Sequence, residues 1–206
     1  MATDLGIILE KLHRHGLYRA SSPFPDRDSG LMNILSLQEH NRPFNHVGVS
    51  VPDIQKAVDW YSSLVGFQLI GNKIHDIKRA EVPNAPIFGI YPESLQDVKV
   101  AYMATGNGVG FELFEFGNPK TYVPEKQFEY HRGGFFHICV TDPEPDALVG
   151  RIVKAGGKQI GATVDPVFPV PKNIKCLYAA DPWGNVIEIL DISFERLTTL
   201  ANPSSK

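Results

Sequence analysis

The chain has 206 residues, of which 43% are hydrophobic and 21% are charged, and its formal net charge is −3. This length allows a sizeable core in one or two small domains. The slight acidity gives no basic footprint for nucleic acid or for an anionic membrane, and no apolar run approaches the ~20 residues of a membrane span. No secretory signal is recognised, and neither Cys139 nor Cys176 lies in a metal-binding or disulfide motif. We therefore expect a reduced, cytoplasmic protein that binds neither nucleic acid nor a membrane.

Residues 1–41 are predicted to form a helical arm outside the main fold. Residues 5–13 carry apolar side chains at helical spacing, and Asp4 is a candidate N-cap. Residues 16–30 are rich in Ser, Pro, Asp and Gly, which is typical of a loop, and residues 31–37 fit a second short helix. The leucines of this arm need a surface to cover, either on the same subunit or on a partner.

A first βαβββ module is predicted over residues 42–117. Its first strand ends at Pro52, and Asp53 caps the helix that follows. Residues 72–97 give no readable pattern, and the last strand carries Glu112. The predicted elements are a strand at 44–51, a helix at 54–64, and strands at 67–70, 98–103 and 109–116.

The same pattern restarts after a linker over residues 118–133. Residues 135–140 repeat the Phe, the His and the final Val of residues 44–49 at the same positions. A second and shorter βαβββ module is therefore predicted over residues 134–194, with a C-terminal tail over 195–206, and the chain reads as an internal duplication. The predicted elements of this module are a strand at 135–140, a helix at 146–155, a strand beginning at 159, and strands at 175–180 and 186–190.

The last predicted strand contains a carboxylate that needs a partner. Residues 181–185, Asp-Pro-Trp-Gly-Asn, predict a tight turn, because Pro presets φ and Gly and Asn tolerate positive φ. Residues 186–190 then surround Glu188 with Val, Ile and Leu. A carboxylate in such a strand is unfavourable unless it is paired, protonated or bound to a metal.

Each predicted module has one His at its first strand and one Glu on its last strand. These residues are His46 and Glu112 in the first module, and His137 and Glu188 in the second. A duplicated sheet with pseudo-two-fold symmetry would bring all four side chains to one place, and two imidazoles with two carboxylates suit Zn, Ni, Co, Mn or Fe(II). A lone His or Glu on a strand is usually an ordinary hydrogen-bonded or solvated residue. The recurrence of both types at equivalent positions favours a metal site.

Three features of the sequence resemble the vicinal oxygen chelate superfamily, which includes glyoxalase I, methylmalonyl-CoA epimerase, bleomycin-resistance proteins and extradiol dioxygenases. They are the two Phe-x-His-x-x-Val starts, Gly-Phe-Glu-Leu-Phe-Glu-Phe at 110–116, and Asp-Pro-Trp-Gly-Asn-Val-Ile-Glu-Ile at 181–189. The resemblance covers about residues 43–192. It implies an α+β fold in which paired βαβββ modules form an open, cup-shaped mixed β-sheet around a metal.

The resemblance also implies a ligand set and a reaction class. The ligand positions of the family fall on the two His and two Glu residues named above, in the order found in glyoxalase I. This order implies a metal-dependent lyase or isomerase that acts on a small molecule with vicinal oxygens, such as a hydroxy-ketone or an aromatic or polyketide-like compound, through a metal-stabilised enediolate. Glu188 or Glu112 would shuttle the proton, and Glu188 is favoured because the second-module acid often has that role in the family. By analogy, we also expect a homodimer.

Four aromatic residues are candidates for a substrate pocket, although they fit an ordinary sheet core equally well. They are Tyr102, Phe114, Phe116 and Phe88. The basic and polar set that glutathione recognition would need cannot be located in the sequence.

Two other functions stay open at this point. An Fe(II)-dependent extradiol-type dioxygenase needs open positions for dioxygen, which a site with four protein ligands supplies less readily. Oxygen uptake on adding a catechol to the iron-loaded protein would identify it. A non-catalytic drug-binding protein of the bleomycin-resistance type need hold no metal, so elemental analysis of the purified protein separates that function from the other two.

Overall fold

The computed structural model describes residues 42–202, and the helical arm predicted over residues 1–41 lies outside the described residues. None of the described helices is long and apolar enough to cross a membrane. In chain order the elements are β1 (His46–Ser50), α1 (Ile54–Leu64), β2 (Gln68–Lys78), α2 (Ile87–Ile90), β3 (Asp97–Ala104), β4 (Gly110–Asn118), β5 (Ile138–Thr141), α3 (Pro145–Lys154), β6 (Lys158–Val164), β7 (Cys176–Ala180), β8 (Val186–Leu190) and α4 (Phe194–Ala201).

The strands form two four-stranded mixed sheets with the same topology. The strand order is β1-β4-β3-β2 in the first sheet and β5-β8-β7-β6 in the second. The first strand of each module runs parallel to the last strand, and the other pairs are antiparallel. This confirms the predicted α+β fold of two βαβββ modules, and it places the start of each module beside the strand that carries its acid.

Helix α1 has the boundaries that the sequence predicts. The Asp53 side chain accepts a hydrogen bond from the backbone N–H of Lys56 at 3.1 Å, which caps the helix N-terminus. Gly66 follows the last turn with φ of +80°, a conformation in which most residues are strained. The buried face of the helix packs into the main hydrophobic core, and its buried residues are Ile54, Ala57, Val58, Trp60 and Tyr61.

The two modules share one hydrophobic core and two specific hydrogen bonds. The Trp60 indole N–H of α1 donates to the backbone carbonyl of Ala155 at 3.2 Å. The Tyr61 hydroxyl donates to Asp181 Oδ2 at 2.9 Å. Asp181 belongs to the turn predicted before β8, so this turn also joins the second module to the first.

The structure differs from the sequence prediction in four places, of which one is helix α2, which forms in the region that gave no readable pattern. Strand β2 is longer than the predicted residues 67–70 because its pairing continues past an irregularity at Gly71 and Asn72, which have φ of +69° and +49°. Strand β5 begins after His137, whereas the prediction placed this residue inside the strand. Helix α4 forms in part of the predicted tail, and Ser193 caps it.

Gly157 lies just after α3 at a position with no room for a side chain. A Cβ atom there would lie 2.5 Å from the carbonyl oxygen of Ala180 and 2.6 Å from Cγ2 of Ile152. We expect Gly157→Ala to lower the free energy of unfolding by about 1–3 kcal/mol, because the backbone must shift to relieve the overlap. Urea denaturation should show a lower midpoint with an unchanged slope.

Gly150 offers a matched control for this substitution. It lies within α3, and a Cβ atom there meets nothing within 4 Å. Gly150→Ala should be neutral or stabilising by about 0.5–1 kcal/mol, because alanine favours the helix. Equal destabilisation by the two substitutions would contradict the steric explanation.

Candidate metal centre

Strand pairing brings His46 and Glu112 together in the first module. In the β1–β4 register Gly48 lies opposite Glu112, and His46 lies two residues earlier on the same face of the strand. The Nε2 atom of His46 is 3.3 Å from Oε2 of Glu112. The side-chain oxygen of Asn45 lies 2.7 Å from Nδ1 of His46. Because an amide oxygen only accepts, this contact fits the tautomer with a proton on Nδ1, in which Nε2 is free to bind a metal ion.

The second module repeats this arrangement with His137 and Glu188. Cys139 lies opposite Glu188 in the β5–β8 register, and Nε2 of His137 is 3.3 Å from Oε2 of Glu188. The imidazole ring lies near two aromatic rings, with centroid distances of 4.6 Å to Phe136 and 5.4 Å to Tyr178. Its Nδ1 atom is buried and has no hydrogen-bond partner among the residues that the structure describes. We call each His–Glu pair a half-site.

A thiol holds the second oxygen of Glu188. The Sγ atom of Cys176 on β7 donates a hydrogen bond to Oε1 of Glu188 at 3.2 Å. Burial, with the hydrogen bond and the charge of Glu188, raises the pKa of Cys176 to about 12. In this geometry the thiol is the donor and the carboxylate oxygen is the acceptor.

The geometry of each half-site fits two ligands of one divalent cation. The separation of 3.3 Å is longer than the usual N–H···O distance of about 2.9 Å. Two donor atoms that each lie about 2.1 Å from a metal ion are separated by about 3.0–3.4 Å at octahedral or tetrahedral angles. An imidazole nitrogen and a carboxylate oxygen are also suitable ligands for divalent first-row metals.

The two half-sites do not come together within one chain. Over residues 42–202, no three His, Cys, Asp or Glu side chains cluster closely enough to hold a metal ion. The structure thus joins His46 to Glu112 and His137 to Glu188, but it does not join the first pair to the second. The four-ligand site therefore stays a prediction.

The four aromatic pocket candidates occupy two different environments. Tyr102 lies directly opposite Glu112 in the β3–β4 pairing, so it lies beside the first half-site. Its side chain is 41% exposed. Phe114 and Phe116 stack on each other at 5.8 Å. Phe88 is buried on α2 and packs in the same apolar cluster as these two rings. Phe114 and Glu112 both lie beside Gly48, since a Cβ atom there would be 3.2 Å from the Phe114 ring and 4.0 Å from Oε2 of Glu112. The first half-site is therefore bordered by Tyr102 and Phe114.

Sequence reasoning missed four residues that contact the half-sites. Asn45 contacts His46, Phe136 and Tyr178 contact His137, and Cys176 contacts Glu188. The repeat in the sequence does indicate Tyr178, because Tyr102 and Tyr178 each lie ten residues before the acid of their module.

Similarity to known sequences extends over both modules. A sequence profile described as the Glyoxalase/Bleomycin resistance protein/Dioxygenase superfamily matches residues 44–189. The chain is 28% identical over 116 residues to a lactoylglutathione lyase of Pseudomonas putida, a match that covers 52% of this chain and 64% of that enzyme. It is 20% identical over 152 residues to a 2-epi-5-epi-valiolone epimerase of Actinomyces sp, covering 72% of this chain and 78% of the relative. The chain thus spans just under two thirds of the lyase that it matches.

Among solved structures, a glyoxalase family protein of Bacillus cereus has the same fold. It superposes with a TM-score of 0.56 at 19% sequence identity, and the match covers 73% of this chain and 95% of that protein. The doubled βαβββ topology and a profile match that runs from β1 to β8 agree with each other. The chain belongs to the Glyoxalase/Bleomycin resistance protein/Dioxygenase superfamily.

Proposed function

We propose that this protein is a metal-dependent lyase or isomerase that acts on a small molecule with two neighbouring oxygens. The observation that carries the proposal is the pair of half-sites, which have the same residue types and the same 3.3 Å separation at equivalent places of the repeat. The two sequence relatives, a lyase and an epimerase, belong to the same two reaction classes.

The complete metal site is assembled between two copies of the chain. Each half-site offers two ligands, and structural or catalytic sites in proteins usually supply three or four. A two-fold dimer repeats every contact, so setting the first half-site of one copy against the second half-site of the other creates two four-ligand sites. The strands beside the histidines, β1 and β5, are edge strands of their sheets within residues 42–202. Open sheet edges are surfaces at which another chain can approach closely.

The acids of the two half-sites carry out the proton transfer. A divalent cation held by His46, Glu112, His137 and Glu188 would supply Lewis acidity, which would make the C–H bond beside a substrate carbonyl more acidic. Glu112 or Glu188 removes this proton and delivers it to the neighbouring carbon, so the reaction needs no oxidant or reductant. The side chains of these acids are only 23% and 18% exposed, which limits proton exchange with bulk water.

Aromatic side chains near the half-sites favour an apolar or aromatic substrate body. His137 lines a cavity of about 480 Å³ together with Phe128, Phe136 and Trp183. Cavities of about 300–1,000 Å³ are usual for small-molecule sites. Tyr102 and Tyr178 lie opposite the two acids, where their hydroxyl groups can hydrogen-bond substrate oxygens. A hydroxy-ketone with an aromatic or polyketide-like body meets these requirements.

Metal analysis followed by a deuterium-uptake assay tests the proposal. Mass spectrometry of the purified protein should find about one divalent first-row ion per chain, because a symmetric dimer has two sites. In D₂O, a panel of hydroxy-ketones should then be screened by NMR for deuterium uptake at the carbon beside the carbonyl. Uptake that requires the metal is the expected result.

The other outcomes of this experiment point to the other two functions. Oxygen consumption with a catechol by the anaerobically iron-loaded protein would replace the lyase or isomerase with a dioxygenase. A metal-free protein that still binds an aromatic drug would replace it with a sequestering protein.

A further inference from the structure

The two half-sites differ at one position beside their acids. This position is Val100 on β3 in the first module and Cys176 on β7 in the second, and each lies twelve residues before the acid of its module. In both sheets the residue opposite it is the one two places after the acid. The repeat therefore places an apolar side chain diagonally across from Glu112 and a hydrogen-bond donor diagonally across from Glu188.

This difference leaves the two carboxylates unequally held. Oε2 of Glu188 faces His137, and its Oε1 accepts the hydrogen bond from Cys176 at 3.2 Å. Oε2 of Glu112 faces His46 in the same way. Within residues 42–202, however, no hydrogen bond is made to Oε1 of Glu112. Both carboxylate oxygens of Glu188 therefore have a neighbouring polar partner, whereas only Oε2 of Glu112 has one.

We propose that Cys176 is a positioning residue that fixes Glu188 as the permanent metal ligand, and that Glu112 is the acid that moves to carry the proton. This inference rests on the proposed function. A hydrogen bond to the second oxygen of a ligating carboxylate fixes its orientation and strengthens metal binding. The acid that transfers the proton would have to move between the metal ion and the substrate carbon, and a carboxylate with one oxygen free of hydrogen bonds would do so more easily. The assignment differs from the preference for Glu188 that the family resemblance implies.

Calorimetric titration of the metal-free, full-length protein with Mn²⁺ tests the role of Cys176. Mn²⁺ is a suitable probe because it prefers oxygen and nitrogen ligands and binds thiols poorly. Cys176→Val gives the second module the residue of the first, and it should weaken Mn²⁺ binding by about 10-fold or more. Cys176→Ser keeps a donor and should restore most of the affinity. Cys139→Ala tests the other thiol beside Glu188, because Cys139 lies opposite Glu188 in the β5–β8 register. A loss of Mn²⁺ affinity as large as that of Cys176→Val would overturn the assignment of the positioning role to Cys176.

A double-mutant cycle shows whether Cys176 acts through Glu188. Glu188→Gln should weaken Mn²⁺ binding more than Glu112→Gln, because the permanent ligand contributes more. Adding Cys176→Val should have its full effect in the Glu112→Gln protein and little further effect in the Glu188→Gln protein. A general loosening of the sheet would weaken binding equally in both backgrounds, and this result would overturn the inference.

The remaining outcomes separate the inference from the proposed function. If the wild-type dimer binds no Mn²⁺, the proposed function fails. If it binds Mn²⁺ and Cys176→Val binds equally well, only the inference fails. A thiolate-to-metal absorption band in the Co²⁺-loaded protein that Cys176→Ser removes would make Cys176 a ligand, and this would also overturn the positioning role.

Discussion

Asp181→Ala is expected to lower the free energy of unfolding by about 3–5 kcal/mol, which is a large part of the stability of a domain of this size. Asp181 is 3% exposed and accepts four hydrogen bonds at 2.8–3.0 Å. Alanine would leave the Tyr61 hydroxyl and the amide groups of Trp183 and Asn185 without their acceptor. Because Tyr61 belongs to the first module, the substitution would also loosen the contact between the two modules. Urea denaturation measures the loss.

Two milder substitutions separate the hydrogen bonds from the loss of side-chain volume. Asp181→Asn keeps an acceptor for the turn amides and should cost less than alanine. Tyr61→Phe removes a single hydrogen bond and should cost about 1 kcal/mol. Equal losses for Asp181→Ala and Asp181→Asn would contradict the hydrogen-bond explanation.

The stability of the wild type relative to Asp181→Asn should also depend on pH. Burial raises the pKa of Asp181 above its usual value of 3.8, because it disfavours the charged form. A raised pKa in the folded state means that the folded protein binds the proton more tightly than the unfolded chain does. The advantage of the wild type should therefore be greatest below pH 3.8 and should fall as the pH rises through the folded-state pKa. An advantage that grew with pH would contradict this assignment.

His46→Ala and His137→Ala should each lower the affinity for a divalent cation by at least about 100-fold, because each would remove one of the four ligands of the proposed site. The His46 side chain is 49% exposed, so its loss should leave the fold intact. His75→Ala is the matched control, since His75 lies in the same sheet on β2 and contacts Tyr102 rather than an acid. Calorimetric titration with Mn²⁺ measures all three variants. A loss for His75→Ala as large as for the other two would contradict the ligand assignment.

The repeat made most of the fold predictable from the sequence. Alternation, Pro52 and the Asp53 cap locate the first helix and the inner strands, and the repeat of the pattern locates their counterparts in the second module, because each of these signals acts over a few residues. Strand β2 was harder to predict, since Gly71 and Asn72 are typical of a turn but in the structure form an irregularity within a longer strand. A bulge and a turn use the same residues, and only the neighbouring strand distinguishes them.

The candidate site was predictable only in part, for two physical reasons. The roles of Tyr178 and Cys176 depend on which residues face each other across strands, and this register is not fixed by the spacing along the chain. The duplication shows that the two half-sites are equivalent. It does not show whether they face each other within one chain or between two copies, because both arrangements have the same local sequence pattern.

A mixture of the two histidine variants tests most directly whether two imidazoles and two carboxylates from two copies of the chain bind one cation. His46→Ala and His137→Ala chains should be unfolded together, refolded at equal amounts and titrated with Mn²⁺. Each mixed dimer would contain one site with both histidines, so the mixture should regain about one quarter of the wild-type sites at wild-type affinity. A mixture that binds no more Mn²⁺ than the separate variants would contradict a site shared between two chains.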